Sequence, residues 1–176
     1  MKSLLVLLLM TFSTLSFAGK HEQLPTVSQV EVERYVGKWY AHAALPQFFT
    51  RTCVAQTAEY EIIAPEKISV YNVCIKKNGK TKDIEGQAVV TNSLTNAELE
   101  VTFNQFWTRL FKVKGDYNIL ALDKDYDYVM VGSNNRKSLW IMSRSEEKIP
   151  TEIYNSYIEL ANKLGFKTSK LVISKF

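Results

Sequence analysis

The stretch "YVGKWYAHAALPQFF", residues 35–49, has the composition of a β-strand but carries a glycine two residues before its tryptophan and ends on a proline and two phenylalanines. Glycine inside a strand marks a bend or a close approach of another group, because its backbone reaches conformations closed to other residues. Pro46 removes a backbone donor, so it and the pair Phe48 and Phe49 mark where a strand ends and a loop begins. The stretch reads as the first strand of a sheet.

Outward from it, short alternating runs follow one another with turn signals between them. Residues 54–63 set Val54, Gln56, Ala58, Tyr60 and Ile62 against Ala55, Thr57, Glu59 and Glu61, and end at "APEK", a hairpin turn. Residues 68–75 come next, closed by "KKNGK", whose Asn78-Gly79 is a strong short-range hairpin signal. Further strands are expected at 83–90, 97–103, 117–122, 128–132 and 138–143, separated by "TNSLTN", an aromatic-basic loop, "DKDYD" and "SNNRK". With the opening stretch there are eight. Consecutive short strands joined by tight turns predict an all-β chain, an eight-stranded antiparallel up-and-down β-barrel with room for one small ligand. Closure also removes the exposed edges of a flat sheet.

After residue 150 the period changes. "TEIYNSYIELANKLGF", residues 151–166, places Ile153, Tyr157, Leu160, Ala161 and Leu164 on one helical face. Thr151 is the expected cap and Gly165 the expected stop, so one C-terminal α-helix packs outside the barrel. "KLVISKF" has the composition for one short further strand.

Residues 1–18 combine Lys2, an apolar run and a small-residue exit at Ser16 and Ala18, the pattern of a secretory signal peptide. The run is far shorter than the roughly 20 apolar residues of a spanning helix. Residues 19–176 are then expected to form a single exported domain, periplasmic or secreted. No cysteine follows the exit, so lipid anchoring is not expected. The formal net charge of +4, one less without Lys2, is too weak a field to argue for nucleic acid. Cys53 and Cys74 both lie in the exported part, where a disulfide persists; the alternative is a pair of free buried thiols.

Catalytic chemistry finds little support. The only histidines are His21 and His42, and there is no G-x-S-x-G, H-E-x-x-H, Gly-rich phosphate loop or Cys-x-x-Cys. Asp123, Asp125 and Asp127 have half the spacing of a calcium loop but lack its glycine and terminal glutamate, so a solvated turn is expected. No cofactor and no metal are expected. The strand faces carry Tyr60, Leu99, Val101, Phe103, Tyr117, Ile119, Met130 and Trp140, and in a closed sheet some of these must line whatever volume is enclosed.

The chain resembles the lipocalins, most closely the bacterial lipocalins grouped with apolipoprotein D. "VGKWYAHAALPQFF" resembles the family's first motif, "YNILALDKDYDYVMVG" its second and "LWIMSR" its third. The resemblance implies that Gly37 bends the backbone where the N-terminal segment crosses the barrel floor, and that Trp39 plugs that floor with Arg144 over its ring. It also matches Cys53, Ala58 and Tyr60, and later Val70, Asn72 and Cys74, to paired family patterns. A simple register centred on "APEK" would leave Cys53 about four residues from the partner of Cys74, beyond the ~7 Å reach of a bridge. A bridge therefore needs a bulge or a bend near Cys53.

The expected ligand set is Tyr60, Asn72, Val101, Phe103, Tyr117, Met130 and Trp140, with Phe106 and Trp107 in an aromatic-basic rim completed by Arg109, Phe111 and Lys112. The resemblance implies a non-enzymatic carrier of fatty acids, lysophospholipids or similar small hydrophobic ligands. It is expected to be a monomer or weak dimer, touching membranes transiently at the barrel mouth. The alternative is an enzyme on the same scaffold using a free cysteine thiol.

Overall fold

Strand pairing follows the alternation of the sequence. The structure, a computed structural model, describes residues 22–104 and 114–176. A single helical turn, α1 (Val32–Tyr35), precedes β1 (Gly37–Ala44), β2 (Cys53–Ala64), β3 (Lys67–Lys76), β4 (Thr81–Val90), β5 (Glu98–Phe103), β6 (Lys114–Leu122), β7 (Tyr128–Gly132) and β8 (Leu139–Ser143). Helix α2 (Thr151–Lys163) and a two-residue strand β9 (Val172–Ile173) follow. Each strand pairs antiparallel with the next, and β1 pairs with both β8 and β2, so the eight strands close on themselves. Several strands run past their expected ends, because pairing continues through polar residues beyond the apolar pattern.

The barrel is not closed by β1 and β2 alone. Their pairing runs from Gly37 opposite Tyr60 to Ala41 opposite Gln56. Beyond that point β9 pairs with β1 at Ala43 and Ala44. Ser174 N donates to His42 O at 2.9 Å and Lys175 N to Val54 O at 2.8 Å. The C-terminal segment thus bridges β1 to β2 along the upper seam.

Two apolar layers result. The inner one holds Trp39, Ala58, Tyr60, Leu99, Ile119 and Met142 among others; the outer one, under α2, holds Leu120, Met130, Leu139, Ile141, Tyr157 and Phe166. Strands β7 and β8, and β6 around Ile119 and Leu120, are apolar on both faces for this reason, with barrel interior on one side and helix on the other. Thr151 does not cap α2. Pro150 supplies the non-helical junction (φ −50, ψ 136), and Thr151 is the first helical residue. At the other end Gly165 adopts φ +86. Its N–H reaches Asn162 O, while Phe166 N–H reaches Ala161 O, a Schellman closure that delivers Phe166 into the outer layer.

Cys53 and Cys74 form a disulfide with α-carbons 5.3 Å apart. Cys74 stands opposite Gln56, and the register shifts between Cys53 and Ala55. This bulge brings Cys53 back onto the face of Cys74, as the sequence argument required. The bridge removes both thiols, so the free-cysteine enzyme is overturned. The bond spans 21 residues, and its loss is expected to lower the unfolding free energy of a Cys53→Ser/Cys74→Ser variant by about 3 kcal/mol. Urea unfolding under non-reducing conditions measures this; an unchanged midpoint would make the bridge energetically idle.

Candidate functional site: the barrel interior

The floor is built around one cation. Arg144, just past β8, lays its guanidinium over the Trp39 ring at 3.8 Å from the centroid. Its Nε donates to Tyr126 O, one terminal nitrogen to Val36 O and Lys38 O, and the other to Arg34 O and Tyr35 O, at 2.6–3.1 Å. A guanidinium has five N–H donors, and here five carbonyls receive them. Trp39 is fully buried and donates its indole N–H to Tyr35 O at 2.9 Å. Gly37 makes the approach possible: it adopts φ +94, and a β-carbon there would stand 3.4 Å from the Arg144 guanidinium. The N-terminal segment crosses beneath, with Val30 buried and its N–H on Thr95 O at 2.7 Å.

Above the floor, strand alternation decides what faces inward. Tyr60, Val101, Phe103, Tyr117 and Trp140 all belong to the inner layer. Asn72 lies on the same face of β3 as the buried Ile68 and Val70. Met130 does not join them. Val129 and Val131 take the inward positions on β7 and Met130 packs fully buried beneath α2, so its assignment to the ligand set is corrected. Phe106, Trp107, Arg109, Phe111 and Lys112 lie outside the described residues. Towards the mouth the inward side chains of Phe103 and Trp140 are only partly buried, whereas deeper ones such as Trp39 and Val129 are sealed.

A residue absent from the expected set is Tyr35, carried into the barrel by α1. Its ring stacks on Tyr60 at 6.1 Å and tilts against Trp39 at 5.4 Å. Its hydroxyl lies 2.6 Å from that of Tyr117, which lies 3.1 Å from that of Tyr60. The three phenols form a chain with Tyr117 at its centre. Burial pushes Tyr60 up to about 12 and raises Tyr35 and Tyr117 well above the usual tyrosine range, so all three are neutral hydrogen-bonding groups at pH 7. The sequence did contain a signal for Tyr35: it opens the stretch that decides the fold, two residues before the bend.

Two other features lie away from the interior. A groove of about 480 Å³ runs across the outer face of β2–β4, with a mixed lining that includes Glu59, Glu61, Ile63, Tyr71, Glu85 and Gln87. His42 Nε2 lies 2.8 Å from Ser143 Oγ, but Ser143 is 2% exposed and donates to Ser145 O, a structural contact. Among the described residues no three His, Cys, Asp or Glu side chains are placed to hold a metal, and no helix is long and apolar enough to cross a membrane.

A closed antiparallel barrel with a sealed floor, inward aromatic side chains and a helix outside is the architecture of a calyx protein. The chain belongs to the lipocalin family: the family's model, described as a lipocalin-like domain, matches residues 30–175. It is 33% identical over 157 residues to the outer membrane lipoprotein Blc of Vibrio cholerae, covering 88% of this chain and 87% of that one. It is 26% identical over 162 residues to apolipoprotein D of Macaca fascicularis, covering 89% and 82%. Among solved structures it is similar to insecticyanin of the tobacco hornworm, with a TM-score of 0.69 at 21% identity, over 90% of this chain and 87% of that one. The motifs at Gly37, Trp39 and Arg144 therefore carry the fold the resemblance implied.

Two consequences can be measured. Arg144→Ala is expected to destabilise the protein by about 3 kcal/mol, since hydrogen bonds from a charged donor and a cation–π contact are lost together. Arg144→Lys should recover little of this, because an ammonium cannot reproduce the planar fork; full recovery in thermal unfolding would refute the carbonyl-binding role. For Tyr60 the sign is fixed by its raised value. The unfolded chain ionises this phenol near the ordinary 10.0 while the folded chain holds it neutral to about 12. Stability from this group is complete below pH 10 and falls as pH rises through 12, by about 3 kcal/mol. The difference in unfolding free energy between the parent and Tyr60→Phe should show that decline, and a difference flat across this window would contradict it.

Proposed function

We propose that the protein is a non-enzymatic carrier that stores or transports one small hydrophobic molecule in its barrel, of the class of fatty acids, lysophospholipids or similar lipids. The observation that carries this reading is the gradient inside the calyx: a floor sealed by Trp39 and a wall of partly buried Phe103 and Trp140 above it. The mouth supports an amphiphile. Phe48 is 86% exposed in the β1–β2 loop, and Arg51, Lys77, Lys80 and Lys137 stand exposed on loops at the same end. An acyl tail inside and an anionic or zwitterionic head outside fit this arrangement, and Phe48 with its basic neighbours is suited to transient contact with a membrane.

The magnitude is adequate. Burying a chain of ~16 carbons at ~0.8 kcal/mol per CH2 contributes about 12 kcal/mol gross. Association costs of at least ~4 kcal/mol then bring the net towards micromolar binding. We assign the protein to the cell envelope or the medium on the signal-like pattern of residues 1–18.

Mass spectrometry of gently purified protein is expected to show co-purified lipid, and titration of delipidated protein with hexadecanoic acid to change tryptophan fluorescence with a micromolar midpoint. Neither lipid nor a fluorescence change would end the carrier reading.

A further inference from the structure

The phenol chain has an arithmetic that the protein does not complete. Three hydroxyls carry three protons, and the two contacts Tyr35–Tyr117 and Tyr117–Tyr60 use two of them whichever atoms donate. One buried O–H is left with no acceptor among the described residues. On the same inner wall, Asn72 Oδ1 is buried and has no hydrogen-bond partner among the described residues. The register places the two close: Tyr60 stands opposite Val70 and Ala58 opposite Asn72, so Tyr60 and Asn72 are diagonal neighbours on one face. Such diagonal pairs lie within reach of long or aromatic side chains. A spare donor and a spare acceptor therefore stand at neighbouring inward positions of β2 and β3.

We propose that this pair is a recognition site for a neutral hydroxyl at the buried end of the ligand, which accepts the spare tyrosine proton and donates its own to Asn72 Oδ1. A hydroxyl offers both a donor and an acceptor. A carboxylate offers only acceptors, so it can take the tyrosine proton but leaves Asn72 Oδ1 without a donor. Among the described residues it would also find no free cation here, because the Arg144 donors are all taken by carbonyls behind Trp39, and an unpaired buried charge is costly. A plain methyl end leaves both polar groups unsatisfied. The ligand class that follows is a lipid with a hydroxyl remote from its head, entering hydroxyl first. This rests on the reading of the barrel interior as the ligand cavity.

The test compares hexadecanoic acid, omega-hydroxyhexadecanoic acid and hexadecanedioic acid by calorimetric titration of the delipidated protein, repeated with shorter and longer homologues. The hydroxy acid is expected to bind about tenfold more tightly than the parent acid at the matching chain length, one well-made hydrogen-bonding group against none, with the diacid no better than the parent. In Tyr60→Phe, which removes the hydroxyl beside Asn72 in the register, and, separately, in Asn72→Leu that ratio should fall to about one, each variant first shown to keep the parent's unfolding midpoint within a few degrees. Equal affinities for the hydroxy and parent acids at every length in the unaltered protein, or a ratio that survives both substitutions, would overturn the hydroxyl site while leaving the carrier reading intact. Failure of all the acids to bind would remove both.

Discussion

Everything at the closed end depends on Arg144 finding five carbonyls. Those carbonyls belong to residues 34–38 and to Tyr126, so one side chain fixes the turn α1, the start of β1 and the β6–β7 loop relative to one another. Trp39 fills the space beneath that cation, and Gly37 lets the chain come near enough for both. With the backbone of residues 34–38 so fixed, Tyr35 has a single place to go, against Trp39 and Tyr60. None of the five acceptors is a carboxylate. The floor is consequently held by groups that do not titrate, and acid that protonates surface ion pairs leaves its hydrogen bonds in place.

The barrel was legible in the sequence because each signal had one physical cause. Alternation in residues 54–63 and 68–75 reported a sheet with one wet face, and Asn78-Gly79 reported the turn that Gly79 makes at φ +76. The same signal failed where both faces are dry. In β7, with Val129, Met130 and Val131 all buried, hydropathy cannot say which face looks inward, and Met130 faces the helix rather than the interior. The helix start misled for a different reason: Thr151 has capping chemistry, but Pro150 already holds the backbone out of the helical region.

The interior was legible only in part. Tyr60, Tyr117 and Asn72 could be placed on inner faces by counting residues, but their arrangement as a hydrogen-bonded group could not, because Tyr35 reaches them from a four-residue turn that has no periodicity to detect. Cys53 shows the opposite case. There the demand for a bridge, combined with pairing arithmetic, located a bulge that local composition does not announce.

The seam between β1 and β2 has a consequence for how the chain is made. The mouthward edge of β1 takes its partners from residues 172–175, and the Ser174 hydroxyl donates to Ala41 O across almost the whole length of the domain. During vectorial synthesis or translocation the first strand must wait, half-paired, until these late residues emerge. Non-local pairing of this kind is slow. An appendage fused directly after residue 176 would burden the step that completes the barrel.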